Sequence, residues 1–186
     1  MKKVVFLFMT IMIIIFSGCS KQYKLKEEYE SLNGKKTNGQ SYIKVTIPKD
    51  NSIVYSNYSE IFKVLDSTGI IYIGSAKSQI SRDYLNQLLK AIEDTGISKV
   101  YYIDISKTKE KTKYKKLLKK INKKEIQIPT MISVKGGKIK EIISETKNIS
   151  NKKYTSKESK KKEILEKYKN AINIIITCSP DSKNQC

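Results

Sequence analysis

The stretch "IPTMISVKGGKIKEII", Ile128 to Ile143, decides the fold. "IPTMISV" reads as a strand opened by Pro129, a residue with no N–H to give to a ladder and therefore placed at a strand's start. Gly136-Gly137 signals a tight hairpin, because a two-residue turn of that kind needs positive φ at both central positions. "KIKEII" is the returning strand, so the segment predicts an antiparallel pair.

Working outward from it, Tyr114, Leu117, Leu118 and Ile121 mark one face of a preceding helix, and "KVYYIDI", Lys99 to Ile105, mixes apolar and aromatic residues as a central strand does. Tyr101 and Tyr102 point to opposite faces of that strand, so one packs under each layer. Further upstream, "IYIGSAKSQISRDYLNQLLKAI" predicts a strand over Ile70 to Gly74, a turn, and a helix from Ser81 to Asp94. Tyr84, Leu85, Leu88, Leu89 and Ile92 form its core-facing stripe. A short strand, Ile53 to Tyr55, leads to a helix from Ser59 to Asp66, and "YIKVTIP" alternates like a strand before stopping at Pro48. After the hairpin, a last helix from Ser159 turns Ile164, Leu165, Tyr168, Ile172 and Ile175 inward. The order β-α-β-α-β-α-β-β-α implies parallel pairs joined by helical crossovers, with an antiparallel pair at the end. This is an α/β domain with a central mixed sheet flanked by helices.

The N-terminus has a different character. Lys2 and Lys3 precede an apolar run from Val4 to Phe16, shorter than the roughly 20 residues that span a bilayer. Small Ser17 and Gly18 then precede Cys19, the layout of a signal peptide. The segment resembles the lipobox of bacterial lipoproteins, departing from it at Phe16, where Leu is usual. The resemblance implies that Cys19 is lipid-modified and becomes the mature N-terminus. An uncleaved signal anchor is the other reading, and either places the domain outside the cytoplasm. The expected organisation is a lipoprotein signal peptide over 1–18, a lipid-anchored flexible tether over 19–41, a globular domain over 42–178 and a tail over 179–186.

Four features make the region from Ile53 to Ile176 resemble the thioredoxin superfamily, and in particular the thioredoxin-like lipoproteins of Gram-positive bacteria, which include bacteriocin transport accessory proteins. They are "IYIG" before the turn, Arg82 with the long helix after it, "VYYIDI", and "IPTMISVKGGKI". The resemblance implies a thioredoxin-like fold, a cis bond between Ile128 and Pro129, and peptide contact on the face built by residues 75–81 and by Ile128, Pro129 and Thr130. The family's Cys-x-x-Cys works through a thiolate favoured by the helix N-terminus and a second thiol that resolves the mixed disulfide. Here Ser78 and Ser81 stand at those two positions. A hydroxyl ionises far above a thiol and forms no disulfide, so the dithiol reaction is removed. Ser78 is also a preferred helix N-cap.

The chain has no histidine, which excludes Ser-His-Asp and Cys-His catalysis and the usual His-containing metal sites. No catalytic residue, cofactor or metal is expected. Cys178 and Cys186 are the two thiols left after Cys19, and an exported protein most simply pairs them; free thiols and a reactive pair are the other readings. The net charge is +19, with ten lysines between Lys107 and Lys124 against the single acid Glu110. Such runs are usually solvated faces, and they also add electrostatic attachment to an anionic membrane. Nucleic acid is disfavoured, because the charge is almost all Lys on an exported, tethered domain. The leading expectation is a membrane-anchored, non-catalytic protein that binds an extracytoplasmic protein or peptide. Residual oxidoreductase activity through Cys178 and Cys186, or a basic module for anionic polymer or lipid, are the alternatives.

Overall fold

The computed structural model describes residues 21–107, 110–144, 154–155 and 157–177. The segment expected to be a signal peptide, and Cys19, Cys178 and Cys186, lie outside the described residues. Helix α1 covers residues 21–30 and is followed by a small hairpin, β1 (Lys36–Thr37) and β2 (Gln40–Ser41). Then come β3 (Ile53–Tyr55), α2 (Tyr58–Leu65), β4 (Gly69–Ile73), α3 (Gln79–Thr95) and β5 (Val100–Ile103). A short 3₁₀ turn (Ile105–Lys107), α4 (Lys111–Lys120), β6 (Thr130–Lys135), β7 (Lys138–Ser144) and α5 (Glu158–Ile176) complete the chain.

The five long strands form one sheet in the order β3-β5-β4-β6-β7. β5 lies parallel to both β3 and β4, whereas β6 is antiparallel to β4 and to β7. Gly136 and Gly137 adopt φ of 56° and 71° at the β6–β7 turn, the left-handed conformation that a side chain resists. Each face of the sheet holds its own core. Ile70, Tyr72, Val100 and Tyr102 face α1, α3 and α5, while Ile71, Ile73 and Ile103 face α2 and α4. Strands apolar on both sides are what a sheet covered by two helix layers requires. Tyr102 is fully buried in the first layer and Tyr101 packs against the second.

Two expectations change. Residues 21–41 are not a flexible tether along their described length: α1 docks on the sheet with Leu25 and Tyr29 fully buried. The "YIKVTIP" segment is extended, with Val45 and Ile47 buried in alternation, but it joins no sheet. Its backbone pairs with side chains instead. Ile43 N–H donates to Gln79 Oε1 (2.8 Å), Val45 N–H to Asn33 Oδ1 (3.0 Å) and Ile47 N–H to Glu30 Oε1 (2.7 Å). Asn33 Nδ2 donates back to Val45 O (2.7 Å) and Lys26 Nζ to Ile47 O (2.5 Å). Asn33 therefore does for this strap what a neighbouring strand's peptide group would do, and buried backbone groups find the partners they need.

Candidate functional site

β4 ends at Ile73, which pairs in register with Thr130, so the turn over residues 74–78 and the Ile128–Pro129 peptide lie side by side at one end of the sheet. That peptide bond is cis. Gly74 opens the turn where a Cβ would come within 2.8 Å of the Tyr72 ring and 3.3 Å of the Tyr29 hydroxyl, so only glycine fits without displacing them.

Ser78 caps α3: its Oγ accepts from Ser81 N–H at 3.2 Å, and its backbone N–H donates to Ser75 O at 3.1 Å. The cap satisfies one of the first-turn amides that no helix can satisfy internally. Among the described residues no base contacts the Ser78 hydroxyl, and Lys77 beside it is exposed. Ser81 Oγ is fully buried and has no hydrogen-bond partner among the described residues. Its carbonyl accepts from the Tyr72 hydroxyl at 3.0 Å. Neither hydroxyl has the arrangement of an activated nucleophile, in which a base shares its proton.

The turn is also covered. Ser75 and Ala76 are 5% and 3% exposed, Thr130 is 2% exposed, and Pro129 is buried. Of the face expected to meet a peptide, Lys77 is exposed and Ser78, Gln79, Ile80 and Ile128 are half-buried. The cover is α1 with the strap, and Arg82 fastens it. Its side chain is 0% exposed and forms no ion pair with a carboxylate among the described residues. Its guanidinium donates to Ile43 O (2.6 Å), Tyr29 O (2.9 Å), Ala76 O (3.1 Å) and Asn33 Oδ1 (2.6 Å), and lies over the rings of Tyr29 and Tyr42. Burial pulls the pKa of this group down. One side chain thus joins α1, the strap, the turn and α3, using the planar fork of donors that only arginine has.

Beside the turn, at the carboxyl ends of β3 and β5, tyrosines meet two acids. Tyr29 and Tyr102 hydroxyls are 3.4 Å apart, and the Tyr55 ring meets Tyr102 edge-on. Glu28 pairs with Lys107 at 2.8 Å, and Asp104 Oδ1 accepts from Ser106 N–H (2.9 Å) and hydroxyl (2.5 Å). The second carboxylate oxygen of each acid is buried without a hydrogen-bond partner among the described residues. Burial first, and the neighbouring carboxylates after it, push the Tyr55 pKa well up; burial does the same for Tyr29 and Tyr102. These phenols stay protonated at neutral pH and supply no base. Among the described residues no group of three or more His, Cys, Asp or Glu is placed to hold a metal, and no helix is long and apolar enough to cross a membrane.

Sequence reasoning reached Ser78, Ser81 and Pro129 but missed Arg82's role and the cover. The available signal was Leu25, Tyr29 and Leu32, an apolar stripe at helical spacing masked by its lysine-rich surroundings.

No family model matches the chain, and no curated protein matches it. Solved structures do. The oxidized form of thioredoxin O1 from Arabidopsis thaliana is 16% identical, with 63% of this chain and 97% of that one covered at a TM-score of 0.43. Oxidized thioredoxin O2 from the same plant is 19% identical, with 52% and 85% covered at a TM-score of 0.41. The decisive observation is the chain's own topology, a mixed sheet ordered β3-β5-β4-β6-β7 that sets a strand–turn–helix beside a cis-proline segment. The fold is thioredoxin-like. Relative to that unit, which spans β3 to α5, α1, the small hairpin and the strap precede the first strand of the sheet.

Proposed function

We propose that the chain is a membrane-anchored, extracytoplasmic thioredoxin-like protein that works by binding a protein or peptide and performs no dithiol–disulfide chemistry. The observation that carries the reading is the state of the two hydroxyls at the turn. Ser78 Oγ is engaged as a cap and Ser81 Oγ is sealed from solvent. The anchoring follows from Lys2, Lys3, the apolar run and Cys19, and the kinship with Gram-positive lipoproteins such as bacteriocin transport accessory proteins belongs to the same proposal. Contact with the partner falls to what the cover leaves open: Lys77, Ser78, Gln79, Ile80 and Ile128.

A reductase assay on a protein disulfide tests the chemistry. The wild-type chain is expected to give no turnover, whereas Ser78→Cys with Ser81→Cys is expected to give a reducible disulfide. Turnover by the wild type that survives Ser78→Ala overturns the reading. Cell fractionation tests the anchor: Cys19→Ala is expected to move the protein out of the membrane fraction.

A further inference from the structure

On the far side of the cis-proline segment, a recess of about 330 Å³ opens between the first turns of α4 and the residues leading to Pro129. Ile105, Ser106, Lys111, Tyr114, Ile126 and Ile128 line it. The three isoleucines and Tyr114 are half-buried, packed against the core of the α2–α4 layer while keeping surface toward solvent. The Tyr114 hydroxyl accepts from Ile126 N–H at 3.3 Å and ties the two walls together. The volume is at the low end of ligand pockets, roughly 300–1,000 Å³, which suits an anchoring side chain or two better than a cofactor.

Lysines outnumber acids around the recess, where Glu110, Glu125 and Asp104 are the acids adjoining its lining residues. Lys107 pairs with Glu28, Lys113 with Glu110 and Lys120 with Asp66, and Lys116 lies over the Phe62 ring. Lys111, Lys115, Lys119, Lys123 and Lys124 have no acidic partner among the described residues. Lys111 lines the recess, and Lys115 follows one turn later on the same side of α4. The nearby acid Glu125 is engaged by the Gln127 amide. A polyanion alone needs no apolar recess, and an apolar ligand alone gains nothing from unpaired lysines.

We propose that this surface binds an extended acidic peptide segment, seating one apolar side chain between Tyr114 and Ile126 while flanking carboxylates meet Lys111 and Lys115. It rests on the binding reading above and names the chemistry of the partner. The recess is continuous with that site through Ile128, next to Pro129 and the strand end that pairs with Ile73.

Fluorescence anisotropy on the full chain tests it, using labelled peptides with a central Leu flanked by Glu and Asp, the same peptide with a central Ala, and Leu peptides with neutral or Lys flanks. The acidic Leu peptide is expected to bind, more weakly as salt rises. Affinity is expected to fall about tenfold or more for the Ala peptide, for Ile126→Asp, and for Lys111→Glu with Lys115→Glu. The paired-lysine variant is a surface change, so it keeps the test valid if Ile126→Asp unfolds the chain. Preference for neutral or Lys-flanked peptides overturns the acidic partner and leaves the binding reading intact. Binding untouched by either variant overturns the location. Binding only to phosphatidylglycerol vesicles, lost with Lys111→Glu and Lys115→Glu, makes this a membrane-facing surface and overturns the proposal. Binding to nothing in the set overturns the proposal and leaves the binding reading to other partners.

Discussion

Helices α3 and α4 each follow a parallel strand and each lay a Tyr and Leu stripe on the sheet, yet they use their polar residues in opposite ways. α3 buries nine residues, among them Ser81, Arg82, Asp83 and Gln87, under α5 and the strap. α4 buries only Leu117 and turns its lysines to solvent. Polar groups on α3 are spent inside the molecule, joining segments far apart in sequence. Among the described residues, those on α4 make only surface ties: ion pairs from Lys113 to Glu110 and Lys120 to Asp66, the Lys116 contact with the Phe62 ring and the Tyr114 hydroxyl bond to Ile126 N–H. Similar apolar stripes therefore yield a structural helix and an interactive one, according to what covers the other side.

The sharpest way to break the contrast is Arg82→Met. It leaves Ile43 O, Tyr29 O, Ala76 O and Asn33 Oδ1 without their buried donor, and stability is expected to fall by about 4 kcal/mol or more. Urea denaturation reads it, and Arg82→Lys is expected to recover little, since an ammonium lacks the fork. Leu25→Ala attacks the same cover from the apolar side. A loss of about 3 kcal/mol is expected, together with faster proteolysis within residues 21–48.

At the turn the two serines are expected to respond with opposite signs. Ser78→Ala removes the cap and costs about 1 kcal/mol, whereas Ser81→Ala removes a buried hydroxyl that has no partner and raises stability by up to about 1 kcal/mol. If both destabilise, Ser81 Oγ has a partner in solution.

A smaller effect concerns the strap. Burial alone would raise the Glu30 carboxyl, but bonds from Lys26 and Ile47 N–H outweigh it and hold the pKa below the usual 4.5. A group depressed in the fold stabilises above its unfolded pKa. Its contribution is therefore present above about pH 4.5 and is lost as pH falls through the lower folded value. Proteolysis of the strap is expected to accelerate below pH 4.5, and Glu30→Gln is expected to flatten that dependence. Smallest of all, Lys115→Met on α4 is expected to leave stability within about 0.5 kcal/mol while reducing acidic-peptide affinity.

Much of the sheet was legible because its signals are local. The Gly-Gly turn, Pro129 at a strand's start, the apolar strands and the stripes on α3 and α5 each declare themselves within a few residues. α2 begins one residue earlier than its periodicity suggests because Asn57 and Glu60 form a reciprocal cap there. The strap misled because alternation reports burial of one side and says nothing of what pairs with the backbone. Residues 21–30 misled because lysines surrounding Leu25 and Tyr29 make a docked helix resemble a linker.

The sequence by itself determined that dithiol chemistry has no sulfur at this turn, that histidine-based catalysis is absent, and that strands and helices alternate into a mixed sheet. Those conclusions depend on residue identity and short-range periodicity. Tertiary structure alone decided that Arg82 is a fully buried fastener, that α1 and the strap cover the turn, and that α4's lysines are left facing out. Such outcomes depend on which distant carbonyls and side chains come within hydrogen-bond reach, as Ile43 and Arg82 do across 39 positions of chain.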